Sequence, residues 1–64
     1  MTKLSFDNWM KKVNDIVYKK IKLNLSDLPD EDFWVVWNKD KSPQFMANIV
    51  LKDYGDFMEF VYNF

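Results

Sequence analysis

Phe6, Trp9, Met10, Val13, Ile16, Val17 and Ile21 recur at spacings of three and four residues, which on an α-helix gathers them into one apolar stripe. The spacing predicts a helix over residues 6–22, and its apolar side must be covered by the rest of the chain. Ser5 stands where a cap accepts a backbone N–H, and Asp7 suits the positive end of the helix dipole. Leu4 and Trp9 have the spacing of a hydrophobic staple. Lys19, Lys20 and Lys22 complement the carbonyl-rich end.

The chain has 64 residues and no cysteine, so the covering must come from packing alone. A chain of this size holds one domain, residues 1–64, and buries only about 60% of the surface its unfolded form exposes. Its hydrophobic content of 48% nevertheless lies well above that of chains that stay unfolded for want of apolar surface. Disulfide and thiolate–metal staples are closed to it, leaving a protein partner or a second copy as the remaining source of added stability.

The missing residue types narrow the chemistry. Without histidine the chain lacks the usual proton carrier near neutral pH and the commonest metal ligand. A nucleophile would have to be Thr2, Ser5, Ser26 or Ser42, and the serines are better placed as caps and turn residues. No cofactor, metal or nucleotide motif is legible, and the chain reads as non-enzymatic. No run approaches the length of a membrane span, nor is there the apolar core of a leader peptide; the expectation is a cytoplasmic protein without a membrane role.

Charge is unevenly placed. Residues 1–25 hold six lysines against two aspartates, a net of +4, while residues 26–64 hold three lysines against eight acids, a net of −5. Lys11, Lys12, Lys19, Lys20 and Lys22 could track a phosphate backbone, an attraction that needs only positive charge. Arginine is absent, so the planar fork that reads base edges and grips phosphate in two places is missing. A nucleic-acid-associated domain using this lysine face is the alternative function, with nucleic acid the less expected partner.

After the first helix, Leu23-Asn24-Leu25-Ser26-Asp27-Leu28-Pro29-Asp30 reads as a tight turn with inward leucines. Pro29 disfavours helical geometry at Leu28, and Asp30 is placed to cap the next element. Asp27, Asp30, Glu31 and Asp32 lack the spacing and the glycine of a calcium loop, and read as capping and helix-dipole residues. A second helix is predicted over 31–38 with Phe33, Val36 and Trp37 on one face, although Phe33–Trp37 also fits a short buried strand. Ser42-Pro43 reads as a cap followed by proline at the first helical position, opening a third helix over 43–52 through Phe45, Met46, Ile49 and Val50. Gly55, the only glycine, is expected to end or redirect that helix. Phe57, Phe60, Val61 and Phe64 then favour a short terminal helix over 56–63, with a strand as the other reading.

The fold class is therefore all-α, a small three- to four-helix bundle. Phe6, Trp9 and Val13, then Asp27 to Asp30, Phe33 with Trp37, Ser42-Pro43, Ala47 and Val50-Leu51 form a skeleton covering about residues 5–52. It resembles a family of small bacterial and phage proteins with a Trp-bearing first helix, an Asp-Leu-Pro-Asp turn and a Ser-Pro-capped third helix. The resemblance implies an all-helical fold and no activity. This chain departs from the pattern where Asn38–Lys41 lacks a glycine and where an aromatic tail extends past Lys52.

That tail carries the functional expectation. The three helices already supply Phe6, Trp9, Val13, Ile16, Val17, Ile21, Leu25, Leu28, Phe33, Val36, Trp37, Met46, Ile49 and Val50 to one core. Trp34, Tyr54, Phe57, Phe60, Tyr62 and Phe64 exceed what such a core holds, and large exposed apolar side chains are enriched at protein interfaces. The competing use of these rings is a fourth core element. The resulting expectation is an interaction domain, with a phage or mobile element as its conceivable source, docking through the aromatic segment on a protein partner or on itself as a homodimer.

Overall fold

The computed structural model describes residues 3–62 and the side chains of all of these but Phe60 and Tyr62. Three α-helices are present among the described residues, α1 (Phe6–Ile21), α2 (Phe33–Asn38) and α3 (Pro43–Tyr62), with a 3-10 turn at Leu25–Asp27 between the first two. No described residue is in a strand, so the strand readings of Phe33–Trp37 and of the segment after Gly55 fall away over the described residues.

α1 starts as its sequence dictates. The Asn8 N–H donates to Ser5 Oγ at 3.2 Å, and the Trp9 N–H donates to the Ser5 carbonyl at 2.9 Å. It stops at Lys22, which turns to φ 60° and donates its N–H to the Tyr18 carbonyl at 2.8 Å. Left-handed backbone at a lysine costs on the order of 1 kcal/mol, a cost the chain accepts to end the helix. Asp40 takes the same conformation in the Asn38–Lys41 connection, where a glycine is missing. Aspartate is among the few side chains that tolerate it.

The 3-10 turn is held against α1 by Asn14, which accepts from the Leu25 N–H at 2.7 Å and donates through Nδ2 to Asn24 Oδ1 at 3.1 Å. Asp27 Oδ2 closes the turn by accepting from the Asn24 N–H. Leu28 leaves it extended, as a residue before proline is driven to be. The other three acids do not cap as expected. Asp32 occupies the cap position of α2 but makes no side-chain cap bond. The Phe33 N–H instead closes on the Glu31 carbonyl at 2.9 Å with Asp32 at φ −82°, ψ 59°, an inverse γ-turn. This turn delays α2 to Phe33, two residues beyond the predicted start.

With six residues, α2 is too short to stand alone in water. Phe33, Val36 and Trp37 pack on the core, and the Trp37 indole donates to the Leu4 carbonyl at 2.9 Å. α3 opens on Ser42, whose Oγ accepts from the Phe45 N–H at 3.1 Å, with Pro43 as its first residue. The starts of α1 and α3 are tied where the Trp9 indole donates to the Lys41 carbonyl at 2.9 Å.

Trp9, Val13 and Val17 of α1 meet Met46, Ala47 and Val50 of α3 in the fully buried core. Ala47, with no exposed surface, lets the two helices approach closely. All fourteen residues assigned to the core from sequence are in this cluster or packed on it. Both α2 and α3 lie against α1, which makes α1 the central element of an open arrangement rather than one member of a closed bundle.

Gly55 does not end the third helix. α3 passes through it to Tyr62, replacing the separate segments 43–52 and 56–63 by one element. An interior glycine weakens a helix without breaking it, and Gly55 has no positive φ that would turn the chain. The result is an elongated molecule of 46 × 20 × 15 Å.

Candidate functional site

The second half of α3 is the most distinctive surface. Tyr54, Phe57, Met58 and Val61 stand at i, i+3, i+4 and i+7 and so share one helical face. No described residue beyond Leu51 belongs to the core or packs on it. Phe57 is 51% exposed and Val61 47%, while Tyr54 and Met58 are half-buried. Asp53, Asp56 and Glu59 lie along the same stretch, and no positive charge comes after Lys52. Of the other tail aromatics singled out in the sequence, the Phe60 and Tyr62 side chains and the whole of Phe64 lie outside what is described.

Trp34 belongs to a different patch. Its ring is 57% exposed, meeting Phe6 edge-on at 5.2 Å and Trp37 at 4.9 Å. Phe6 also contacts Trp9 and Trp37, so Trp34 is the outer rim of an aromatic cluster joining α1 to α2. The Lys3 ammonium caps this cluster, 4.1 Å from the Trp37 ring centre and 3.0 Å from Asp40 Oδ1. Among the described members of the predicted set, Trp34 thus stands in a different patch from Tyr54 and Phe57. Val35 and Phe45 are further exposed apolar side chains outside that set.

Lys11, Lys12, Lys19, Lys20 and Lys22 are all exposed. Asp15 interrupts them, four residues after Lys11, three after Lys12 and four before Lys19, within reach on the helix surface. The Lys22 ammonium lies 5.7 Å from the Tyr18 ring centre, and the one ion pair among the described residues is Lys3–Asp40.

Described residues form three shallow grooves on the surface. One, of about 290 Å³, lies between α1 and the 3-10 turn and is lined by Met10, Lys11, Asn14, Asp15 and Leu25. A second runs beside Trp37 and Asp40, and a third lies between Ile16 and Pro43. No group of three or more acidic side chains is arranged to hold a metal ion among the described residues, and no helix there is long and apolar enough to cross a membrane.

One perturbed group was invisible in the sequence. The Glu31 carboxyl is raised from 4.5 to about 7, first by burial, then by its hydrogen bond with Asp53 and the negative charges of Asp53, Asp32 and Asp30. Two carboxyls that share a site hold a proton between them. This pair straps the loop before α2 to α3 just beyond Leu51. Neither carboxyl lines any of these three grooves. Comparison of the chain with protein-family models, curated proteins and solved structures returned no match.

Proposed function

We propose that the chain is a non-enzymatic protein-interaction domain of the cytoplasm that docks through the outer half of α3. The observation carrying this reading is Phe57, half-exposed on a helix segment that has left the core behind. An apolar helical face left in solvent is the arrangement that association covers, and the negative charge of the segment after Lys52 adds selectivity for basic partners. The alternative, nucleic-acid association through α1, rests on five exposed lysines; Asp15 among them and the acidic outer half of α3 make it the weaker reading.

The test compares wild-type protein with a Phe57→Ala/Val61→Ala variant in a binding assay against itself and against proteins captured from lysate. The helical spectrum should be retained and the association lost. Equal association by both proteins would sink this reading, whereas unfolding of the variant would assign the two side chains to a core. Nucleic-acid binding that falls steeply with salt and vanishes in Lys19→Glu/Lys20→Glu would favour the alternative.

A further inference from the structure

Resting on the interaction reading above, we infer that the occupant of the outer α3 face is a second copy of this chain, received in the groove between α1 and the 3-10 turn. The two surfaces complement each other in charge and in character. The outer half of α3 offers Phe57 and Val61 with Asp53 one helical turn before Phe57 on the same side, in a segment whose remaining charges, Asp56 and Glu59, are also negative. The groove offers an apolar floor from Met10 and Leu25, with Lys11 at its edge.

Along the same side of α1, Tyr18, Lys19 and Lys22 are exposed. Their spacing from Lys11, at seven, eight and eleven residues, continues the groove's stripe for two more turns of helix. Three lysines against the single acid Asp15 leave this stripe positive, facing a helix segment whose charges after Lys52 are all negative. The groove volume of about 290 Å³ has room for one aromatic side chain such as Phe57.

The chain carries both the acidic apolar helix and the basic apolar groove, so two copies related by a two-fold axis make the contact twice. The α3 of each then lies on the α1 of the other. Area favours this reciprocal form. A stable interface buries about 800 Å² on each partner, and a reciprocal contact doubles the area that one helix end buries. The rod-like shape, 46 Å long and 20 Å or less across, allows two molecules to lie side by side in opposite directions.

Sedimentation velocity over a concentration series tests the inference. Wild-type protein should pass from monomer to dimer, with the midpoint moving to higher concentration as salt is raised. Phe57→Ala should move it at least tenfold with the helical spectrum unchanged. Asp53→Lys and Lys19→Glu should each weaken the dimer, and the double variant, in which both charges are exchanged, should recover most of the loss. A merely destabilised fold would not show that recovery.

The inference is overturned if natively helical protein stays monomeric to millimolar concentration, or if it dimerises and both charge reversals leave the midpoint unmoved. A monomer that still captures another protein through Phe57 removes the second copy as occupant and keeps the interaction reading. A dimer indifferent to Phe57→Ala and Val61→Ala, with no other protein bound through them, removes both.

Discussion

The two halves of α3 are built from the same materials and meet opposite fates. From Pro43 to Leu51 the apolar positions Met46, Ala47 and Val50 are no more than 2% exposed. From Lys52 to Tyr62 an equally regular stripe leaves Phe57 half in water. The difference is set by α1, not by α3. α1 is sixteen residues long against twenty for α3, and it ends at the left-handed turn of Lys22 before it can cover the outer stretch. Helical periodicity tells which side chains share a face; only the length and placement of the neighbouring helix decide whether that face is covered.

The sharpest way to break the comparison is to truncate one large side chain in each half. Met46→Ala opens a cavity in the fully buried cluster and should cost about 2–5 kcal/mol, the range typical of such core deletions. Phe57→Ala, measured in dilute protein where no association protects the ring, should change stability by under about 0.5 kcal/mol. Urea unfolding of both variants gives the contrast directly. Similar losses in the two would mean that the outer half is as well packed as the inner one.

How far the sequence reveals this division depends on the kind of signal involved. The α1 stripe, the Ser5 and Ser42 caps and the fourteen core residues were all legible, because each rests on local spacing or on one side chain bonding its own backbone. The start of α2 was not, since an inverse γ-turn at Asp32 leaves no residue pattern. Gly55 misled for a different reason. Glycine permits a helix to end without requiring it to, and among the described residues no φ-positive turn comes after it to use the permission. The Glu31–Asp53 pair joins residues far apart in the chain and could be found only with the chain folded. Trp34 and Phe57 were both recognised as surplus aromatics, yet their assignment to separate patches depends on where α2 sits.

That carboxyl pair marks the boundary between the two halves and gives the comparison a pH dependence. The Glu31 pKa is raised from 4.5 to about 7 in the folded protein, so the folded state binds the proton more tightly than the unfolded chain. Its contribution to stability is complete below pH 4.5 and is lost as pH rises through about 7. With Glu31 half-open to solvent, the change across this window should be on the order of 1 kcal/mol after screening. Glu31→Gln retains a donor for Asp53 and removes the titration. Its stability should therefore be flatter between pH 4.5 and 7 than that of wild type, as tracked by urea midpoints at each pH. An unchanged slope would assign the pH dependence to other carboxyls.

A substitution at Gly55 sharpens the comparison most, because it asks whether the outer half is held as helix without core neighbours to pack on. Gly55 lies inside α3, and a β-carbon built there meets no atom within 4 Å. Gly55→Ala therefore changes backbone freedom and little else, since alanine loses less entropy than glycine on entering a helix. If residues 52–62 become helical in the same step as the core, alanine should raise unfolding stability by about 0.5–1 kcal/mol. If the outer half frays independently, the gain is confined to local helicity and the global midpoint stays where it was. Urea unfolding monitored by tryptophan fluorescence reports the core, since all three tryptophans lie outside α3, while amide exchange at residues 56–61 reports the outer half. A raised midpoint together with slower exchange at 56–61 makes α3 one cooperative rod that presents Phe57 on a fixed surface. Slower exchange alone makes the outer half a separate unit, ordered mainly by the partner that binds it.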